Sequence, residues 1–158
     1  MKPAAWLLLA GLLGAAGVSL GAYGAHGLDA HLVRKYIPEA TAGPEKIAPQ
    51  QAIESAAPEV QANIRKRLAN FETAVRYQMW HALALIGVAA VAAWRNGAAV
   101  KVAGVCFLLG IALFSGMLYY WGFGGPQFLV HIVPFGGVSF IIGWLALALS
   151  ARGWPGQQ

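Results

Sequence analysis

Between Lys101 and Arg152 the chain runs for fifty residues, 102–151, without one Lys, Arg, Asp or Glu. A helix crosses the hydrocarbon core of a bilayer in about 20 apolar residues. Fifty is too long for one crossing and right for two. The break falls at Gly122-Phe123-Gly124-Gly125-Pro126, where glycine and proline make a turn. The same test finds two more crossings. Pro3 to Leu28 carries no charged residue, and Tyr77 to Trp94 is closed off by Arg76 and Arg95.

The sequence therefore predicts an all-α fold, a four-transmembrane-helix bundle forming a single membrane domain over residues 1–158. The helices are expected at about 4–25, 77–94, 102–121 and 128–150. Composition agrees: charged residues are 11% of the chain, against ~25% in soluble domains. The net charge of +5 reflects scarce acids, six against eleven bases, and no basic stripe of the kind nucleic acid needs is present. Lys2 ahead of an apolar run also fits a secretory leader, but the length of that run and its glycine spacing favour a retained span. The one cysteine, Cys106, excludes an internal disulfide and lies mid-span, where it reads as packing.

Four crossings put both termini on one side, here side A, and the long first loop and the 122–126 turn on the other, side B. Aromatic residues should mark both boundaries, with Trp6, Trp94, Trp144 and Trp154 at A and Tyr23, Tyr77, Trp80, Tyr119, Tyr120 and Trp121 at B. Residues 29–76 hold all six acids and seven of the eleven bases. Four of the eight prolines fall between Pro38 and Pro58, which reads as a flexible loop. From Glu59 onward Val60, Ile64, Leu68, Phe71 and Val75 recur at helical spacing. That stripe predicts an amphipathic interfacial helix on the membrane surface, running into the second crossing. The run Arg65-Lys66-Arg67 is expected to solvate a helix face or touch anionic headgroups.

Helix association in lipid depends on close backbone approach, which glycine permits. Gly14, Gly17, Gly21 and Gly24 form one stripe on the first helix, making it the expected central packing helix. Gly136, Ser139 and Gly143 do the same on the fourth. Either stripe serves packing within one bundle or a homo-oligomer.

The candidate site lies among polar residues expected near side B. His26 ends the first helix, His81 begins the second, His131 begins the fourth, and His31 and Asp29 sit in the adjoining loop. Ser115 and Tyr119 close the third. Tyr77, Gln78 and His81 share one region of the second helix, and Glu72 and Arg76 are i,i+4 partners expected to form a salt bridge. Polar groups in the membrane are costly and so are functional candidates. His26, His81 and His131 could ligate a metal or a haem iron, though no helix carries a ligand-type spacing. A Ser115–His81 dyad would make a hydrolase, but Ser115 is more simply a small packing residue. The reading favoured is a non-enzymatic binding, structural or accessory protein with a site of His26, Tyr77, Gln78, His81, Ser115 and Tyr119, rimmed by Glu72 and Arg76. A metal or haem redox protein and a small transporter or channel are the alternatives. The bilayer is the expected partner, with a second copy or another membrane protein as further candidates.

Four stretches carry a resemblance. Gly21-Ala22-Tyr23-Gly24-Ala25-His26, Glu72 through His81, Leu113 through Tyr119, and Pro134 through Phe140 with Gly143-Trp144 resemble the GAFGAH, ETGVxYQMYH, LFSGSLY and PxGGVxFxxGW segments of the YgdD-like family. These are small bacterial inner-membrane proteins of unknown function. The resemblance implies four helices and cytoplasmic termini, and brings no reaction, cofactor or substrate. The family's first loop is short, so residues about 36–62 read as an insertion. Val133 stands where the family has Thr, and His131 falls on no motif position.

Overall fold

The computed structural model describes residues 1–42 and 47–151. The expected belt member Trp154 and the charge Arg152 lie outside the described residues. The rest is helical: α1 Pro3–His26, α2 Leu28–Tyr36, α3 Glu39–Ala42, α4 Pro49–Ser55, α5 Pro58–Trp94, α6 Ala98–Gly110, α7 Met117–Gly122 and α8 Val133–Ser150. A π-helical segment, Ile111–Gly116, joins α6 to α7, and a 3₁₀ segment, Gln127–His131, precedes α8. Four stretches are long and apolar enough to cross a membrane: Pro3–His26, Pro58–Trp94, Ala98–Gly122 and Gln127–Ser150.

The organising element is α5. It is one helix of 37 residues, about 55 Å at 1.5 Å per residue, so it is longer than a bilayer core is thick. It packs on α1, on α6 and α7, and on the short helices α2 and α4. This corrects the expectation that the first helix is central. Only Trp6, Ala10 and Gly17 of α1 are buried. A glycine stripe lets one neighbour approach closely, and here that neighbour is α5. A side chain at Gly17 would meet Met79, at Gly21 Val75, and at Gly24 Phe71. Gly14 does not join them, since nothing lies within 4 Å of where its side chain would point.

On the far side α6 and α8 mesh through glycines from both helices. Gly136 lies against the backbone of Phe114, Gly143 against Phe107, and Gly110 beneath the Phe140 ring. Gly104 takes the ring of Trp6, which is fully buried and so belongs to the core rather than to a boundary belt. Tyr119 and Trp121 are likewise buried, whereas Trp94, at the end of α5, is 74% exposed, as a boundary residue would be. At side A the Asn96 amide donates to the Met1 carbonyl at 3.0 Å, so the chain start lies beside the α5–α6 turn.

Among the described residues the first loop forms short helices, α2, α3 and α4, where its composition suggested a flexible segment. Leu28, Leu32, Val33, Ile37, Ala52 and Ile53 are buried against Ile64 and Phe71. The apolar stripe of α5 thus packs with α2 and α4 in one cluster, and its Phe71 and Val75 also meet the glycines of α1. Residues 28–53 supply six of the eleven described buried residues of this cluster and α5 supplies three, Ile64, Phe71 and Ala74.

Candidate functional site

At mid-bundle α5 carries Tyr77, Gln78 and His81 on the side facing its neighbours. His81 is 13 residues before the helix end at Trp94, about 20 Å at 1.5 Å per residue. It thus lies well inside the span rather than at its start. Its Nδ1–H donates to the Tyr77 carbonyl at 2.7 Å, and its Nε2 accepts from Trp144 Nε1 at 3.2 Å. This pair of bonds requires the neutral imidazole protonated at Nδ1. Phe140 stacks on the ring at 3.4 Å between centroids, tilted by 9°, and Tyr77 and Phe107 flank it. Trp144, expected at the side A boundary, reaches inward with its indole N–H while its ring stays half exposed.

Two further side chains stitch helices together at this depth. Gln78 Nε2 donates to the Leu13 carbonyl of α1 at 2.8 Å. Ser139 Oγ donates to the Cys106 carbonyl of α6 at 2.8 Å. Ser115 and Tyr119, one turn apart on the third span, are buried with hydroxyls that have no hydrogen-bond partner among the described residues.

The expected site is therefore not one constellation. His26 is exposed at the end of α1. The facing of Gly17 on Met79 and Gly24 on Phe71 sets His26 some twelve residues, about 18 Å, from the level of His81. His131 is exposed beyond the 122–126 turn. His26, His81 and His131 do not converge, and no three His, Cys, Asp or Glu residues do so among the described residues. Glu72 and Arg76 are both exposed and form no salt bridge with each other. Ser115 and His81 make no dyad, since the Ser115 hydroxyl has no partner and both His81 nitrogens are used.

A second polar centre went unnoticed in the sequence. Arg67, expected on a solvated face, is only 6% exposed. Its Nη1 donates to the carbonyls of Trp121 and Gly125, the latter at 3.3 Å, and its Nε to Asn63 Oδ1 at 2.7 Å. The guanidinium lies 4.6 Å from the Trp121 ring centroid and 5.2 Å from that of Tyr36. Two residues of α2 grip the same turn: His31 Nε2 donates to the Phe123 carbonyl at 3.2 Å, and Lys35 Nζ to the Gly124 carbonyl at 2.8 Å. Gly124 holds φ of 93°, which a side chain would strain. A helix end leaves carbonyls without partners and favours cations. Here Arg67, Lys35 and His31 meet that demand for α7 and its turn. The signal in the sequence was slight: Arg67 falls in line with Ile64 and Phe71 at helical spacing, on the buried side of its helix.

Comparisons with known proteins fit this architecture. The family model described as "Protein of unknown function (DUF423)" matches residues 20–137. A UPF0382 membrane protein of Haemophilus influenzae is 34% identical over 143 residues, 90% of this chain and 90% of the relative. The UPF0382 membrane protein YwdK of Bacillus subtilis is 34% identical over 135 residues, 85% of each chain. The UPF0382 inner membrane protein YgdD of Escherichia coli is 34% identical over 80 residues, 51% of this chain and 61% of the relative. No solved structure matches. The YgdD-like resemblance stands, and with the family model covering well over half of its length the chain belongs to the DUF423 family of membrane proteins of unknown function.

Proposed function

We propose that this chain is a non-enzymatic structural or accessory protein of the bacterial inner membrane, with both termini cytoplasmic and with Gln78, His81 and Trp144 used to hold the helices in register. One observation carries the reading: both ring nitrogens of His81 are engaged inside the bundle, on the Tyr77 carbonyl and the Trp144 indole. A histidine so engaged offers no lone pair to a metal or haem iron and no free base to a nucleophile. Gln78 and Ser139 are bonded across helix pairs in the same way. For the orientation, Lys2, Arg95 and Lys101 lie at the side A ends with no acid among them, which favours that side as cytoplasmic.

The test is an absorption spectrum and elemental analysis of the detergent-purified protein, wild type beside His81→Phe. Neither should show a Soret band or stoichiometric metal, and the variant should melt at a lower temperature. A chromophore or one metal per chain, lost in the variant, would overturn the proposal.

A further inference from the structure

Where α1 meets α5 toward side B, the two helices leave a cavity of about 300 Å³. Gly21, Gly24 and Ala25 form its α1 wall, and Phe71 and Val75 its α5 wall. Glu72 and Arg76 complete the lining. Both are exposed, and neither forms an ion pair or hydrogen bond in the described structure. So one acid and one base stand on a single helix face, one turn apart, over an apolar and glycine-lined floor.

Position gives this pair its meaning. Gly21 to Ala25 lie 18 to 22 residues beyond the start of α1 at Pro3, about 27–33 Å along its axis. A bilayer core is ~30 Å thick, so the cavity opens where acyl chains give way to headgroups. Along α5, Arg76 is the inner of the two charges and Glu72 the outer, about 6 Å further toward side B. A phospholipid presents its charges in the same order: chains first, then phosphate, then any headgroup amine. A phosphate against Arg76 and an ammonium against Glu72 would each gain a charge-assisted hydrogen bond. A choline headgroup has no N–H to give Glu72, and a glycerol headgroup has no cation.

We infer that the groove between α1 and α5 binds a zwitterionic aminophospholipid, phosphatidylethanolamine, with its phosphate on Arg76, its ammonium on Glu72 and its acyl chains running inward from Arg76 along the two helices. This site shares no residue with the His81 cluster, so it stands or falls independently of the reading above.

Native mass spectrometry of the delipidated full chain in detergent tests it, with phosphatidylethanolamine, phosphatidylcholine and phosphatidylglycerol competing at equal concentration. Wild type should retain the ethanolamine lipid about tenfold over the choline lipid, the ratio one charged hydrogen bond supports. Glu72→Gln should remove that preference while keeping phospholipid bound. Arg76→Gln should weaken retention of all three. Both positions are exposed, so thermal melting should match wild type and separate lost binding from lost fold. Soluble glycerophosphoethanolamine should not compete, because the acyl contacts are missing. Equal retention of ethanolamine and choline lipids, unchanged preference in Glu72→Gln, or full competition by the soluble headgroup would each overturn the inference.

Discussion

The centre of the bundle and its side B end solve the same problem with opposite chemistry. Around His81 every polar contact is neutral: an imidazole bonded through both nitrogens, and an indole, an amide and a hydroxyl each bonded across helices. Around the 122–126 turn the donors are cationic or imidazole, with Arg67, Lys35 and His31 all aimed at backbone carbonyls. The difference follows from water. Within the hydrocarbon a charge is expensive, while helix carbonyls there are already bonded within the helix. At the boundary the turn leaves carbonyls open, and long basic side chains can reach them, the Arg67 guanidinium lying over the Tyr36 and Trp121 rings.

Breaking the charged end should cost most. Arg67→Met strips donors from the Trp121 and Gly125 carbonyls and is expected to cost about 3 kcal/mol, read from denaturant unfolding in detergent. Arg67→Lys should recover less than half of it, because one ammonium cannot copy the planar fork between two rings. If Arg67→Met unfolds like wild type, the turn is held by α2 alone. In the neutral half the sharpest test is steric. Gly136→Ala pushes a methyl into the Phe114 backbone, which cannot swing aside as a side chain would. It should cost about 2 kcal/mol by overpacking and loosen α8 from α6, seen as faster amide exchange along α8. The same change at Gly137, where nothing lies within 4 Å, should leave both readouts unmoved. The smallest effect belongs to Ser115→Ala. Its hydroxyl is buried without a partner, so removing it should leave stability equal or raise it by up to about 1 kcal/mol. A clear loss of stability would mean that the hydroxyl has a partner inside the bundle.

How much of this was legible in the sequence depends on whether a property belongs to one helix or to a pair. The four spans were legible because charge is excluded locally, residue by residue. That Gly17, Gly21 and Gly24 pack was legible from their spacing; that they pack on α5 alone was not, since a stripe does not say how many neighbours it meets. The depth of His81 was misjudged because it was counted from Tyr77, whereas it bonds to Trp144, a residue assigned to the opposite boundary; the continuity of α5 itself was expected. Its polar and apolar halves form one helix, and Trp144 marks a boundary less well than a bonding partner does. The loop was misjudged because its proline and charge content drew attention away from Leu28, Leu32, Val33, Ile37 and Ile53, which cluster only when α5 is there to pack against. Arg67 was hidden in a basic triplet whose other members, Arg65 and Lys66, are exposed as expected.

The dependence of α1 on α5 also sets an order of assembly. During synthesis α1 is complete at His26, and its main neighbour begins only at Pro58, some thirty residues later. Until then the glycine face of α1 has lipid against it, and no cross-helix bond from Gln78 has formed. The first helix therefore enters the membrane on its own hydrophobicity and is recruited afterwards. The second helix to insert is the one that turns separate spans into a folded protein.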